Sequence, residues 1–270
     1  MPELPEVETT RRGIAPHVEG RIIRKLDVRE PRLRWPVPDD LAARMADQQI
    51  KSIYRRAKYL IFDTDAGSML LHLGMSGRLQ VMPAGTPPKK HDHVDIVLDS
   101  DDIVRLHDPR RFGSLLYSQQ PETHPLIANL GPEPLSEAFD GNHLYARSRG
   151  RRVPIKSFIM DAKVVVGVGN IYASEALFMA GIHPLRAAGK LSRPRMQRLA
   201  DTIREVLSRA IDAGGTTLRD FYGTDGSAGY FSQQLAVYGR ASAPCVTCAK
   251  PVSQRVIGQR STFYCTHCQR

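Results

Sequence analysis

Val7, Ile14 and Val18 share one face of a helical spacing, which predicts an amphipathic helix over 7–18 with Arg11 and Arg12 on its polar side. The pattern then changes period. Apolar stretches at Arg21–Arg29, Ile50–Asp63, Ser68–Leu73, His93–Asp99, Ile103–Asp108 and Gly113–Ser118 have the length of strands. Val94, Ile96 and Leu98 alternate with mostly polar neighbours, as in a strand with one buried face. Asp65-Ala-Gly and Pro83-Ala-Gly-Thr-Pro-Pro supply turns between these stretches. Residues 1–130 therefore read as mostly β, a sandwich or flattened barrel.

After Gly131-Pro-Glu-Pro, read as an interdomain link, residues 136–213 read as helical. The clearest helix starts at Ser192 as N-cap, with Pro194 in its first turn. Met196, Leu199, Ile203, Val206, Leu207 and Ile211 line one face, and Gly214-Gly215 ends it. Residues 216–237, rich in Gly, Ser, Thr and Asp, read as a loop.

Charge narrows the function. The 270 residues carry 38 Lys and Arg against 28 Asp and Glu, a balance that points to a polyanion, with nucleic acid foremost. Apolar residues reach 41%, enough for true cores, whereas aromatics at 7% are too few for an aromatic-rich β-scaffold. The start of the chain is acidic, then basic, with no apolar run, so neither a signal peptide nor a membrane span is expected. A cytoplasmic protein follows, with cysteines reduced unless they bind metal.

The four cysteines form two CxxC pairs, Cys245/Cys248 and Cys265/Cys268, near the C-terminus. Two such turns meeting at a hairpin give a closed tetrahedral zinc site with no open position for water, hence structural zinc. Two disulfides are the alternative. His267 lies inside a CxxC and reads as a bystander. From Gly226 to Arg270 there is no Asp or Glu, while Arg240, Lys250, Arg255, Arg260 and Arg270 are cationic. That composition suits phosphate binding.

Three strings carry a resemblance: Pro2-Glu-Leu-Pro-Glu6, Val166-Gly-Val-Gly-Asn-Ile-Tyr-Ala-Ser-Glu175, and Gln259-Arg-Ser-Thr-Phe-Tyr-Cys265 within the cysteine hairpin. In this order they resemble the bacterial formamidopyrimidine-DNA glycosylase family, the 8-oxoguanine DNA glycosylases. The resemblance implies an α+β multidomain chain. Residues 1–130 would form an N-terminal β-sandwich catalytic domain with an N-terminal helix. Residues 131–225 would form a helix–two-turn–helix DNA-binding domain, and 226–270 a loop and four-cysteine zinc finger. The implied partner is damaged double-stranded DNA, with no membrane, no obligate protein partner and a monomer as default. The implied cofactor is one structural zinc ion and no organic group.

The resemblance also implies chemistry. Such enzymes extrude the damaged nucleotide and attack its sugar with an amine. A terminal amine has an ordinary pKa of about 7.7–8, against about 10.4 for lysine, so it is partly free at neutral pH. Once Met1 is removed, Pro2 would form a Schiff base at C1′ and drive β,δ-elimination, and Glu3 would carry protons. Glu6 and Glu175 would be supporting carboxylates; a charge favouring the helix N-terminus and a helix-surface Glu are their plain alternatives. Lys58, Asn170 and Arg260 would hold phosphates beside the lesion, a solvated strand lysine being the alternative for Lys58. His72, His91, Arg151 and Tyr238 are carried over as DNA contacts. Met75 and Phe112 would fill the vacated stack and Arg110 would pair with the orphaned cytosine, with core packing the alternative for Met75 and Arg111 the neighbouring register. The loop 216–230 would close over the base. Arg219, where Lys is common, and Lys250 depart from the family pattern. Two other readings stand beside this one: an endonuclease VIII-like enzyme for oxidised pyrimidines, and a zinc-finger DNA binder without catalysis. The PELPE start favours the first reading over both.

Overall fold

The computed structural model describes residues 2–215 and 234–270. The predicted closing loop, with Arg219, therefore lies outside the described residues. The chain divides into two compact units: Met1–Ala128 with the segment beginning at Ala213, and Asn129–Asp212 with the C-terminal segment ending at Arg270.

In the first unit, helix α1 (Leu4–Val18) begins three residues before the apolar pattern does. A reciprocal capping box between Glu3 and Glu6, with a proline in the first turn, starts it there. Strand β1 (Ile23–Val28) and the short helix α2 (Leu41–Met45) follow. The expected strand over 50–63 is instead a hairpin, β2 (Ser52–Arg56) and β3 (Tyr59–Thr64). Ala57, at φ 54°, turns the chain with no Gly or Asn to announce it. Strands β4 (Gly67–His72), β5 (Arg78–Pro83), β6 (Asp92–Leu98), β7 (Asp102–His107) and β8 (Ser114–Ser118) complete two antiparallel sheets, ordered β1-β6-β7-β5 and β2-β3-β4-β8.

One core joins both sheets and α1. Ile23, Val94, Ile96, Val104 and Leu106 of the first sheet share it with Leu60, Phe62, Met69, Leu71 and Leu115 of the second, and with Val7, Ile14 and Val18 of the helix. Alternation puts residues two apart on the same face, so each strand sends every second side chain inward.

The second unit holds α3 (Gly141–Ser148), α4 (Ile155–Ile159), α5 (Asn170–Met179) and α6 (Arg193–Asp212). α6 buries the stripe its periodicity announces, from Met196 to Ile211. Strands β9 (Ser253–Ile257) and β10 (Arg260–Tyr264) form the C-terminal hairpin, turning at Gly258 and Gln259, both with positive φ. No helix among the described residues is long and apolar enough to cross a membrane.

Candidate active site and nucleic-acid interface

In the first unit, Pro2 and Glu3 stand at the start of α1, both buried. The Glu3 backbone N–H donates to Glu6 Oε2 at 2.8 Å. Glu6 thus holds the backbone of its neighbour and also sits on the positive end of the helix. Lys58 occupies the β2–β3 turn, half-buried, where its charge is felt by His72.

His72 ends β4, with its ring 4.9 Å from that of Tyr59. Its Nδ1 accepts the Gly74 N–H at 2.9 Å, which places the proton of the neutral ring on Nε2. Burial, then the charges of Lys58 and Arg34, push its pKa down from 6.5 to about 4.

Three loops converge beyond this point. Met75 and Phe112 are 39% and 47% exposed, which rules out core packing for Met75. With Arg34, His72 and Gly74 they line a cavity of about 390 Å³. Gly74, at φ +66°, presses against the Phe112 loop so closely that a methyl group on it would lie 2.3 Å from the Phe112 carbonyl carbon. Fully buried Asp108 ties the loops together: its carboxylate accepts the Ser76 hydroxyl at 2.9 Å and the Gly113 N–H at 2.7 Å. Its backbone N–H reaches the carbonyl of His91, and its carbonyl meets His93 Nε2 at 2.8 Å. Asp108 thereby gathers the segments that carry Met75, His91, Arg110 and Phe112. Both arginines of this loop are exposed, and Arg111 is engaged with Glu30 at 3.2 Å.

The loop before His91 is braced from inside. Buried Arg105 makes a paired contact with Asp95 at 2.7 and 2.8 Å and donates to the carbonyls of Thr86 and Pro87. Asp92 accepts the Lys89 N–H and meets His107 Nδ1, both at 2.7 Å.

In the second unit, Asn170 opens α5. Its Oδ1 accepts Lys156 Nζ at 2.6 Å, and its Nδ2 donates to the Ser261 carbonyl at 3.0 Å and the Tyr238 hydroxyl at 3.3 Å. Lys156 is 1% exposed and also donates to Thr262 Oγ1 at 2.7 Å. Asn170, Tyr238 and the cysteine hairpin are therefore one hydrogen-bonded cluster. Arg260, exposed at the start of β10, lines a cavity of about 210 Å³ with Lys156, Ser157 and Gly258. Arg151 is exposed on the segment leading into α4.

The Sγ atoms of Cys245, Cys248, Cys265 and Cys268 lie within 4.8 Å of one another, and none is paired in a disulfide. Cys248 and Cys265 are 3.5 Å apart and Cys245 and Cys268 3.9 Å. A tetrahedral zinc with bonds of about 2.3 Å separates its sulfurs by about 3.8 Å, so the four thiols fit one ion. His267 lies outside this set, with its Nδ1 3.1 Å from Lys250 Nζ.

Residues 1–115 match the formamidopyrimidine-DNA glycosylase N-terminal domain, 130–222 the H2TH domain of the same enzymes, and 243–270 the zinc finger found in FPG and IleRS. A formamidopyrimidine-DNA glycosylase of Stenotrophomonas maltophilia is 59% identical over 270 residues, covering 100% of both chains. The chain belongs to the formamidopyrimidine-DNA glycosylase family. A Syntrophotalea carbinolica member is 58% identical over 271 residues, again covering both chains fully. Among solved structures, the MutM (FPG) protein of Thermus thermophilus matches with a TM-score of 0.89 at 39% identity, covering 99% of this chain and 98% of that one. A complex of Lactococcus lactis Fpg with DNA containing an abasic site matches with a TM-score of 0.92 at 31% identity, covering 99% of each chain.

Within this family frame, Glu175 is buried, which sets aside its helix-surface alternative. It is 4% exposed, and its carboxylate accepts the backbone N–H groups of Ala236, Val237 and Tyr238 at 2.8, 3.0 and 2.8 Å. Burial raises its pKa against the pull of those donors. It is neither on the helix surface nor a free acid, but the anchor of the chain entering the zinc hairpin. Lys156 and Asp108 are absent from the sequence expectations. Lys156 left one signal, a single cation within the apolar stretch Val153–Ile159.

His72 sets a measurable pH dependence. Its folded pKa lies below the ordinary value, so between about pH 6.5 and 4 the unfolded chain takes up a proton that the folded chain refuses. Stability at this position therefore falls as pH falls through that window, by about 3 kcal/mol in full. Nitrogen NMR of the ring should show the Nε2–H tautomer at pH 7 and a midpoint near 4. A midpoint near 6.5 would contradict the half-buried, Gly74-bonded ring.

Proposed function

We propose that this chain excises oxidised purines, 8-oxoguanine and formamidopyrimidines, from duplex DNA in base excision repair and then cleaves the strand. One observation carries the reading: Pro2 and Glu3 lie side by side and buried at the head of α1, the pairing of a terminal amine with a carboxylate that attack on C1′ requires.

The Pro2 amine, freed by loss of Met1, attacks C1′ as the base departs with the glycosidic electron pair. The base takes up the proton that the attacking amine gives up, and Glu3 protonates the ring oxygen O4′, so that the C1′–O4′ bond breaks and the nitrogen lone pair forms an iminium at C1′. The resulting iminium withdraws electrons from C2′, and successive eliminations release both flanking phosphates. Lys58, Asn170 and Arg260 hold phosphates beside the lesion, and Lys156 aims the Asn170 amide through its bond to Oδ1. Met75 and Phe112 enter the stack, and Arg110 pairs with the orphaned cytosine. His72, as a neutral ring, offers an Nε2–H donor rather than a cation; His91, Arg151 and Tyr238 add backbone contacts. The zinc held by the four cysteines keeps the hairpin folded and takes no part in bond breaking. We assign the catalytic domain to 1–130, the DNA-binding helices to 131–225 and the finger to 226–270. The enzyme acts as a cytoplasmic monomer on nucleoid DNA.

The test uses two duplexes, one with 8-oxoguanine opposite cytosine and one with thymine glycol. The first should be nicked at least about tenfold faster, the discrimination that about 1.4 kcal/mol of differential transition-state binding provides. Faster cleavage of the second would transfer the chain to the oxidised-pyrimidine reading.

A further inference from the structure

The β2–β3 turn that carries Lys58 is tied to α1 by charges that no phosphate contact explains. Glu8, on α1, is a hub. Its Oε1 accepts Arg11 Nη2 at 2.8 Å and Arg12 Nε at 3.1 Å, and its Oε2 accepts Arg55 Nε at 3.2 Å. The side chains of Glu8 and Arg55 are only 12% and 11% exposed. Arg55 reaches on: its Nη1 donates to the carbonyl of Ala57 at 2.9 Å. Ala57 is the left-handed residue at φ 54° that makes the turn, an arrangement a non-glycine residue keeps only when its surroundings hold it.

A second set of bonds sets the register of helix and strand. β2 is an edge strand, and an edge leaves backbone groups unpaired by strands. Side chains from the middle of α1 and from its C-cap meet them at Ile53, whose N–H donates to Glu19 Oε1 at 2.9 Å and whose carbonyl accepts from Arg11 Nη1 at 3.4 Å. The helix that begins at Pro2–Glu3 is thus fastened to β2 at its middle and, through Glu8 and Arg55, to the turn beyond.

We propose that Glu8 and Arg55 are positioning residues that fix Lys58 with respect to the head of α1, so that the phosphate-binding cation and the N-terminal amine keep one geometry. The inference rests on the assignment of Lys58 as a phosphate contact. Glu8 works through Arg55: without the carboxylate, three guanidiniums face one another and Arg55 loses one of the partners that orient it toward the Ala57 carbonyl.

A double-mutant cycle on DNA binding against salt tests this. Lys58→Ala should lower the slope of log affinity against log salt by about 0.9, the signature of one lost phosphate contact. Glu8→Gln should weaken binding and lower the slope by a similar amount, and Glu8→Gln in the Lys58→Ala background should add nothing to either. Glu19→Ala, which cuts a helix–strand link without touching the turn, should be additive with Lys58→Ala. Arg55→Lys, which keeps the charge but not the reach to two acceptors, should reproduce Glu8→Gln and guards against a folding artefact of the first variant. If Lys58→Ala leaves the slope unchanged, the Lys58 assignment fails and takes the inference with it. If Lys58→Ala lowers the slope but Glu8→Gln adds to it independently, the positioning role alone is overturned.

Discussion

A protein that keeps any residue ahead of Pro2 will bind lesion DNA with unchanged affinity yet form no covalent adduct on borohydride treatment. An acylated nitrogen has given its lone pair to the amide and cannot attack C1′. Loss of a covalent nucleophile lowers turnover by on the order of 10⁴–10⁶, so the adduct should vanish on any practical timescale. Binding is spared because the proposed phosphate and wedge residues lie elsewhere, on the turn at Lys58, the loops gathered by Asp108 and the second unit. The measurement pairs trapping with equilibrium binding on two preparations, one confirmed by mass to start at Pro2 and one with Met1 retained. An adduct from the retained form would move the nucleophile to a lysine and remove Pro2 from the mechanism.

How much of this was legible in the sequence depends on whether a property is local. The strand alternation at Val94–Leu98 and the stripe from Met196 to Ile211 are local, and both elements form where the pattern puts them. The cysteine pairs are local too, and spacing alone was enough for the metal site. The turn at Ala57-Lys58 was not legible, because no Gly or Asn marks it and the hairpin read as one long strand. What holds it is Arg55 and, through it, Glu8, a residue 47 positions away from Arg55. Asp108 and Lys156 were missed, and the burial of Glu175 was not visible, for the same reason. Each is a buried polar group whose meaning lies in its partners, and the partners are distant: Ser76 for Asp108, Thr262 for Lys156, Ala236–Tyr238 for Glu175. A buried polar residue looks like a surface one until its hydrogen bonds are known. The Arg105–Asp95 pair is a further case, an arginine in a strand that alternation would turn to solvent only if nothing inside answered it.

Zinc removal should unfold the C-terminal hairpin while leaving the first unit folded. The cluster under the hairpin is small: Val237, Val252 and Phe263 with Cys245 and Cys265 inside, and Phe178, Tyr238, Cys248 and Cys268 at its edge. Four of those nine residues are the metal ligands, so losing the ion takes apart nearly half of the cluster. Structural zinc sites bind with about 10–16 kcal/mol of apparent free energy, far more than so small a cluster can replace. The core of the first unit contains none of these residues and should keep its protection. Hydrogen exchange after chelation should therefore show fast exchange across β9, β10 and the amides held by Glu175, against unchanged protection in β3, β4 and β6. Unfolding β10 also releases Arg260 and the Ser261 carbonyl that Asn170 binds. Losing one charge-assisted phosphate contact costs about 1.5–3 kcal/mol, which is about tenfold to a hundredfold in DNA affinity. Added zinc should restore both protection and affinity. Magnesium should restore neither, because it takes oxygen ligands in octahedral geometry and the site offers four sulfurs. The decisive comparison is strand cleavage at saturating DNA. If chelated protein still binds fully but no longer cleaves, zinc takes part in the chemistry; if cleavage falls only as binding does, its task is to keep Arg260 and Asn170 where a phosphate can meet them.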